Sequence, residues 1–279
     1  MCISKDGEDF ALIQVLKKNI SLLGSITRIN RGPIFLKEEI DFQLKIESLE
    51  QIIHKVKSDS LLLQIAPEMS DSEELTLSLN KLGLRRLRNT PWASGLLDLN
   101  HDEDELLMSV NGKWRNCYRK GIKMGVVVSD VSDSDMELNY LVKNYENLQV
   151  AKDFTGLSKE LIYSLAQEKD QHWKFNLFKA HLENESNALG YLVTIDHGDT
   201  SIYLIGLTTE IGRKYQANYV MLWLGILNAK QNGCSKFDIG GLNEDTPSGV
   251  AHFKKGLKSS MYSLSGEWRG IFLKNLIRF

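Results

Sequence analysis

The chain has 279 residues, of which 34 are Lys or Arg and 36 are Asp or Glu, so its formal net charge at neutral pH is −2. Hydrophobic residues make up 42% and charged residues 25% of the sequence, which is ordinary for a globular protein of one large or two small domains. The balanced charge argues against a surface that grips nucleic acid non-specifically, and three widely spaced cysteines argue against a zinc centre or a disulfide framework.

The amino-terminal residues and the hydropathy of the chain bear on its location. Residues 1–10 carry charges where a signal peptide needs an apolar core, and no apolar run of about 18 residues occurs. The separated cysteines suit a reducing compartment. Together these features predict a cytoplasmic protein without a transmembrane segment.

Helices and strands alternate in the first third of the chain. Residues 9–23 have apolar positions at helical spacing and predict a first helix, and a strand over 26–29 then runs into the turn Arg31-Gly32-Pro33. The following predicted elements are a helix over 38–57, a buried strand over 60–66, a helix over 73–82 and a strand that ends at Asp98. This alternation predicts an α/β fold.

The middle of the chain is strongly charged. A helix is predicted to start after His101 with acidic residues in its first turn, as the helix dipole favours. The next segment, 113–123, is dense in Lys and Arg, for which a solvated helical face is the simplest interpretation. The polar, turn-rich segment 128–135 predicts a junction between two halves, followed by two helices within 135–167 and by strands over 173–181 and 188–195.

The most informative stretch is 200–256. Residues 201–207 predict a central strand, 218–231 a helix that Asn232-Gly233 ends, and 234–239 a second strand that Gly240-Gly241 breaks. The turn before the helix carries Arg213, Lys214 and Gln216, which would bring positive charge to a helix N-terminus. An anion site and an ordinary βαβ unit with a solvated basic turn explain these residues equally well.

The order of short motifs along the chain resembles a known family. The C-terminal motifs are Y-x-x-G from Tyr203, Arg213, A-K-x-x-G from Ala229, F-D-I-G-G from Phe237 and F-K-K-G from Phe253. The earlier ones are D-L at Asp98, K-x-R at Lys113, a basic helix with Arg119 and Lys120, and G-V-x-V at Gly125. This succession, over roughly residues 24–268, resembles the Fem family, aminoacyltransferases of peptidoglycan-bridge synthesis. The resemblance implies two tandem GNAT-like (acyl-CoA N-acyltransferase-like) subdomains with mixed sheets flanked by helices, at residues 1–130 and 131–279.

The resemblance also implies roles for individual residues. Lys254 is expected near the carbonyl of the acyl donor, and Asp98 is expected to accept a proton or to hold the acceptor amine. Arg31 is expected to bind the diphosphate of a nucleotide-linked acceptor. Lys152, two residues before Phe154, stands where relatives have an arginine, so its contact with acceptor phosphates would lack the bidentate fork. A surface lysine at 254 and a helix N-cap at 98 are the alternatives.

Three further residues are candidates for substrate binding. Asp238 lies between apolar Phe237 and Ile239, so on an alternating strand its side chain would face the site or bind backbone at the turn. Tyr203 could orient the acceptor, although a core position explains it as well. Phe253 precedes Lys254 and is assigned to substrate binding with it.

The donor turn departs from the pattern of acetyl-CoA enzymes. Enzymes of the GNAT type have a (Q/R)-x-x-G-x-(G/A) loop around the pyrophosphate, whereas residues 213–218 here read R-K-Y-Q-A-N and lack the glycine that lets backbone approach phosphate. This favours aminoacyl-tRNA over acyl-CoA as the co-substrate. The predicted donor-binding residues are Arg213, Lys214, Gln216 and Asn218, and neither a metal nor a permanently bound cofactor is expected.

Three functions are consistent with these features. The leading one is a cytoplasmic N-acyltransferase that moves an aminoacyl group from charged tRNA to an amine of a nucleotide-linked sugar or muropeptide. The second keeps the fold but uses acyl-CoA, with a nucleotide-linked amino sugar of surface-polysaccharide synthesis as the acceptor. The third is a non-catalytic GNAT-like binding module. The amino acid, the acceptor and the oligomeric state stay open.

Overall fold

The computed structural model describes residues 2–5, 8–20, 24–36, 40–87, 92–168 and 170–272. The chain divides into two units, of which the first comprises Met1–Ala93 with Tyr262–Phe279 and the second comprises Ser94–Met261. The predicted division into GNAT-like subdomains at residue 130 stays a prediction. No helix among the described residues is long and apolar enough to cross a membrane.

The helices and strands follow one another along the whole described chain. In order they are β1 (Cys2–Lys5), β2 (Glu8–Leu12), β3 (Leu16–Asn19), β4 (Ser25–Asn30), β5 (Ile34–Phe35), α1 (Phe42–Lys57), β6 (Ser60–Ala66), α2 (Glu73–Lys81), β7 (Arg85–Arg86), β8 (Trp92–Asp98), α3 (Glu103–Ser109), α4 (Gly112–Lys123), β9 (Val126–Asp130), α5 (Asp135–Lys152), α6 (Lys159–Gln167), β10 (Trp173–Leu182), β11 (Gly190–His197), β12 (Thr200–Thr208), α7 (Glu210–Lys214), α8 (Ala217–Gln231), β13 (Lys236–Asp238), α9 (Ser248–Lys255), β14 (Ser260–Leu264) and β15 (Trp268–Ile271).

The first unit is organised around a five-stranded sheet with the order β3-β4-β6-β15-β7. Strands β4 and β6 are parallel, and α1 between them covers the sheet with the apolar positions Ile46, Leu49 and Ile53, which recur at helical spacing and are buried. Asp41 starts α1 because its carboxylate accepts the N–H groups of Gln43 and Leu44. A three-stranded sheet, β1-β2-β5, belongs to the same unit.

The predicted helix over residues 9–23 is wrong. Residues 8–12 and 16–19 form β2 and β3, while residues 21–23 lie outside the described part of the chain. Two short strands separated by three residues give apolar positions a spacing that imitates a helix. Pairing between strands decides the conformation, since β2 pairs with β1 and β5 and β3 pairs with β4.

The second unit is organised around β13, β12, β11, β10 and β9, consecutive strands of a seven-stranded mixed sheet in the order β14-β8-β13-β12-β11-β10-β9. The predicted strand, helix and strand of the stretch 200–256 are confirmed as β12, α8 and β13, and the two strands are parallel, as a crossover helix requires. The predicted junction at 128–135 is partly strand, because β9 continues to Asp130 and pairs with β10.

Helix α8 is the main support beneath this sheet. Its buried side chains include Val220, Trp223 and Ile226, and Gly225 lets Leu192 of β11 approach closely. Helix α4 crosses it at Gly121, where an added Cβ would lie 2.5 Å from Val220 Cγ2. The tight α4–α8 contact and the parallel pair β12–β13 together position the loop after β13, where the candidate site lies.

Candidate active site

Lys254 lies near the end of α9 with its side chain turned inward and only 5% exposed. Its Nζ donates to the carbonyl oxygen of Gly241 at 3.2 Å and sits 4.6 Å from the ring centroid of Tyr203. Burial lowers the pKa of Lys254 to about 8, and the nearby Asp238 carboxylate opposes that shift. The side chain therefore keeps a proton at neutral pH and can lose it just above, which suits a group that acts on a reacting carbonyl or amine.

Asp238 ends β13 and holds the loop that contacts Lys254. Its Oδ1 accepts the hydroxyl of Ser94 at 2.5 Å and the backbone N–H of Gly240 at 2.8 Å. The Ser94 hydroxyl also lies 2.8 Å from the carbonyl oxygen of Gly240, so its single hydrogen is shared between two acceptors. All three groups are buried, which makes this a fixed polar framework beneath Gly241 and Lys254.

Ser94→Ala is expected to lower the free energy of unfolding by ~1–3 kcal/mol, because it removes a hydroxyl donor from a buried carboxylate. Ser164→Ala is the matched control: its hydroxyl bonds the Glu160 carbonyl on an exposed face of α6, and a change within about 0.5 kcal/mol is expected. Denaturant unfolding monitored by tryptophan fluorescence measures both. Equal effects of the two substitutions would contradict the framework described for Ser94.

Gly240 is the position at which the loop cannot carry a side chain. Its φ is +71°, and an added Cβ would lie 2.6 Å from the carbonyl oxygen of Tyr203 and 3.1 Å from Lys254 Nζ. The tyrosine ring in turn covers Gly206, where an added Cβ would overlap the phenol oxygen. Burial raises the pKa of Tyr203 to about 12, so its hydroxyl stays protonated.

An aromatic cluster fixes the end of α9. Phe253 contacts Trp114 of α4 and Tyr219 of α8, with ring centroids 6.2 and 5.0 Å apart respectively. The indole Nε1 of Trp114 donates to the carbonyl oxygen of Phe253 at 3.1 Å, and Gly256 packs directly on the same indole. The site for Lys254 is thus built by α4, α8, α9 and β13, and the predicted substrate contact of Phe253 stays a prediction.

Asp98 lies on the exposed end of β8. Its Oδ1 accepts both the backbone N–H and the side-chain amide of Asn100, at 2.9 and 2.8 Å, and the backbone bond is the main cause of a pKa below the ordinary value. The cap of α3 is Asp102, not Asp98. In the sheet Asp98 pairs with Lys236, whereas Asp238 pairs with Leu96, so Asp238 is the carboxylate that the structure brings to Lys254. The catalytic role of Asp98 stays a prediction.

The predicted donor residues occupy the turn between α7 and α8. Arg213 and Lys214 are exposed; the Arg213 guanidinium donates to the carbonyl oxygen of Thr208, and the Gln216 side chain donates to the carbonyl oxygen of Arg213. Gln216 has a φ of +60°, and Asn218 lies in the first turn of α8, half-buried. Their contact with a donor stays a prediction.

The two predicted phosphate ligands belong to other elements of the fold. In the first unit, Arg31 forms an ion pair with Glu68 at 3.0 Å and stacks over Trp92, 5.5 Å from its ring centroid. In the second unit, Lys152 is exposed at the last position of α5, where Asp153 adopts a left-handed conformation. No group of His, Cys, Asp and Glu within the described ranges could hold a metal ion.

Sequence reasoning missed Ser94. The residue stands in an apolar strand segment and is 144 residues from Asp238 along the chain, so no local pattern links them. A serine that is predicted to be buried needs a partner, and that requirement was the one signal available.

Comparisons with known proteins agree with this architecture. Residues 141–272 match the model of the FemAB family. The structure is similar to that of FemX, with a TM-score of 0.76 and 19% identity over 99% of this chain and 88% of that chain. No curated protein sequence matches the chain.

Two more solved structures share the fold at lower similarity. L-PGS from Bacillus licheniformis has a TM-score of 0.58 and 13% identity, covering 94% of this chain and 81% of that one. A tandem GNAT protein from the clavulanic acid biosynthesis pathway has a TM-score of 0.55 and 11% identity, covering 97% and 81% respectively. The predicted α/β fold of GNAT type is therefore confirmed, and the family match together with the fold supports an acyltransferase. Residues 141–272 therefore match the FemAB family model, and the chain has the GNAT-like fold that it shares with FemX.

Proposed function

We propose that this protein is an N-acyltransferase that moves an aminoacyl group from aminoacyl-tRNA to an amine of a nucleotide-linked cell-envelope precursor, a muropeptide or an amino sugar. The observation that carries the proposal is Lys254, a buried lysine with a pKa of about 8 in the segment matched by the FemAB family model. A non-catalytic binding module gives no reason to bury a lysine against a backbone carbonyl and an aromatic ring.

Aminoacyl transfer joins the acceptor nitrogen to the carbonyl carbon of the aminoacyl ester and breaks the bond from that carbon to the ribose oxygen of tRNA. Negative charge develops on the carbonyl oxygen during attack. The Lys254 ammonium donates a hydrogen bond to that oxygen, and the Gly240-Gly241 loop holds the ammonium in position. The proton lost by the amine balances the one gained by the ribose oxygen.

Asp98 keeps a narrower role in this proposal. Its pKa is lowered by the bonds from Asn100, so the carboxylate is ionised at neutral pH and is a weak base. Of the two roles that the sequence suggested, holding the acceptor ammonium fits that charge better than accepting a proton.

The shape of the α7–α8 turn favours tRNA as the co-substrate, which is consumed at each turnover. Ala217 is fully buried, and the carbonyl oxygens of Tyr215 and Gln216 point close to Gly121 of α4. A backbone cradle for a pyrophosphate needs open N–H groups and glycines, and this turn instead offers exposed cationic side chains. A charged-tRNA donor also puts the proposed reaction in the cytoplasm.

A donor comparison tests the proposal. Purified protein is incubated with radiolabelled aminoacyl-tRNAs or with acyl-CoAs, using pooled UDP-muropeptides and nucleotide-linked amino sugars as acceptors. We expect amide product from at least one aminoacyl-tRNA and none with Lys254→Met. Release of free CoA thiol, with no product from tRNA, would instead establish an acyl-CoA-dependent enzyme acting on an amino sugar.

A further inference from the structure

Helix α4 presents its positive charge on one face. At about 100° per residue, its four exposed cationic residues fall within an arc of roughly 120°. These residues, called the basic strip below, are Lys113, Arg119, Lys120 and Lys123. The buried residues Trp114 and Gly121 lie on the opposite side. Within the described residues no ion pair involves the strip, so its charge is not neutralised by neighbours.

Arg115 has a different function although it lies in the same helix. Its guanidinium donates to the carbonyl oxygens of Met108 and Val110 at 2.6 and 2.7 Å, and it thereby caps the C-terminal end of α3. The helix therefore has one structural arginine, and the other four cations are left facing solvent.

The basic strip begins at the candidate active site. Asn111, which caps α4, donates its backbone N–H to the carbonyl oxygen of Gly256, two residues beyond Lys254. From Lys113 to Lys123 the strip extends about 15 Å along the helix axis. At its far end Gly121 packs on the turn that carries Arg213 and Lys214, which are also exposed. The two ends of α4 are therefore close to the segment that carries Lys254 and to the turn that carries two further exposed cations.

The chemistry of this surface fits a polyanion with phosphates in a row. The chain as a whole is slightly acidic, at −2, so the strip is a local concentration of charge and not part of a generally basic surface. A helix that lies on a bilayer turns its aromatic residues outward, whereas Trp114 and Tyr118 of α4 are packed together in the interior cluster.

We propose that the basic strip binds the phosphate backbone of the donor RNA, so that an acceptor stem lies along α4 with its 3′ end at Lys254. The inference rests on the proposed function and extends it, because it assigns the body of the donor to residues outside the α7–α8 turn. Contacts of this kind position the RNA without reading its sequence, and their strength depends on salt.

The test measures binding separately from transfer. An uncharged acceptor-stem RNA hairpin ending in CCA is titrated by fluorescence anisotropy at several salt concentrations against the wild type and the triple variant Lys113→Gln/Lys120→Gln/Lys123→Gln. We expect the affinity of the variant to fall at least about tenfold, with a salt slope smaller by about two to three. The control is Lys143→Gln/Lys159→Gln/Lys174→Gln, which removes the same charge from exposed positions elsewhere in the unit and is expected to bind like the wild type.

The outcomes separate this inference from the proposed function. Equal affinity of the wild type and the strip variant for the hairpin overturns the inference, as does wild-type binding to phosphatidylglycerol vesicles but not to the hairpin. Strip-dependent hairpin binding without transfer from any aminoacyl-tRNA supports the strip and overturns the proposed function. If both stand, the ratio of transfer from whole aminoacyl-tRNA to transfer from an aminoacylated CCA trinucleotide falls about tenfold in the strip variant.

Discussion

Lys254→Met is expected to lower the rate of aminoacyl transfer by about 100-fold or more, while the protein stays folded. The substitution removes the one buried ammonium beside Gly241 and Tyr203, and preorganised donors of this kind contribute about that factor to acyl transfer. Methionine keeps most of the aliphatic stem and needs no hydrogen-bond partner, so the packing of α9 is retained. The measurement is amide product per unit time at saturating donor.

Lys255→Met is the matched control for this change. Lys255 is the next residue of the same helix, but its side chain is exposed, so its loss is expected to alter the rate less than about twofold. The melting temperature of Lys254→Met should be equal to or above that of the wild type, because a desolvated charge has been removed. A Lys254→Met enzyme that retains the wild-type rate would contradict the proposed role.

The same lysine predicts the pH dependence of the reaction. Because burial lowers its pKa from 10.5 to about 8, the ammonium is lost as the pH rises through 8, and transfer should show an alkaline limb there. Lys254→Arg, whose charge persists, should lack that limb at whatever rate it retains.

The lowered pKa of Lys254 also predicts how the stability of the protein depends on pH. Between pH 8 and 10.5 the unfolded state binds more protons at this position than the folded state, so the contribution of Lys254 to stability rises with pH in that window. Raising the pH from 8 to 10.5 should therefore increase the melting temperature of the wild type more than that of Lys254→Met.

Gly240→Ala is expected to destabilise the protein by ~2–4 kcal/mol and to reduce transfer strongly in the fraction that remains folded. The φ of +71° is unfavourable for alanine, and the added methyl would lie 2.6 Å from the carbonyl oxygen of Tyr203, which is backbone and cannot rotate away. The same methyl would press on Lys254 Nζ, so the loop and the ammonium must move together. Thermal unfolding and the transfer assay report the two effects.

Gly249→Ala provides the comparison within the neighbouring helix. Gly249 lies in α9, has no atom within 4 Å of an added Cβ and has no positive φ, so alanine there is expected to stabilise by about 0.5–1 kcal/mol. Equal effects of the two substitutions on stability would contradict the conclusion that position 240 must be glycine because Tyr203 and Lys254 lie so close to it.

Elements whose signals are local could be predicted from the sequence. Helix α8 has apolar residues at helical spacing and ends at Asn232-Gly233, and the structure ends it within one residue of that pair. Helices α5 and α6 are capped by Ser134 and Ser158, whose hydroxyls accept the backbone N–H groups three residues further on, as short-range capping chemistry dictates. Lys254 was singled out because motif order and a glycine-rich turn both marked it.

Other features depend on partners far away in the chain, and local pattern could not reveal them. The strands β2 and β3 were expected to be helical because the spacing of their apolar residues was ambiguous, and pairing with β1, β5 and β4 makes them strands. The sequence favoured Asp98 as the catalytic acid and assigned Asp238 to substrate binding, and only the register of β8 against β13 distinguishes the exposed carboxylate from the buried one.

The sequence by itself determined the α/β class of fold and the succession of β12, α8 and β13, because periodicity and turn residues act over a few positions. The candidate lysine was marked by the order of the motifs and by the glycine-rich turn before it. Only the tertiary structure decided that Lys254 is buried against Gly241 and Tyr203, that Ser94 supports Asp238, and that the cations of α4 form one face starting at the site. Burial and hydrogen bonding are set by which distant segments meet, and the shifted pKa of Lys254 follows from that meeting and not from its neighbours in the chain.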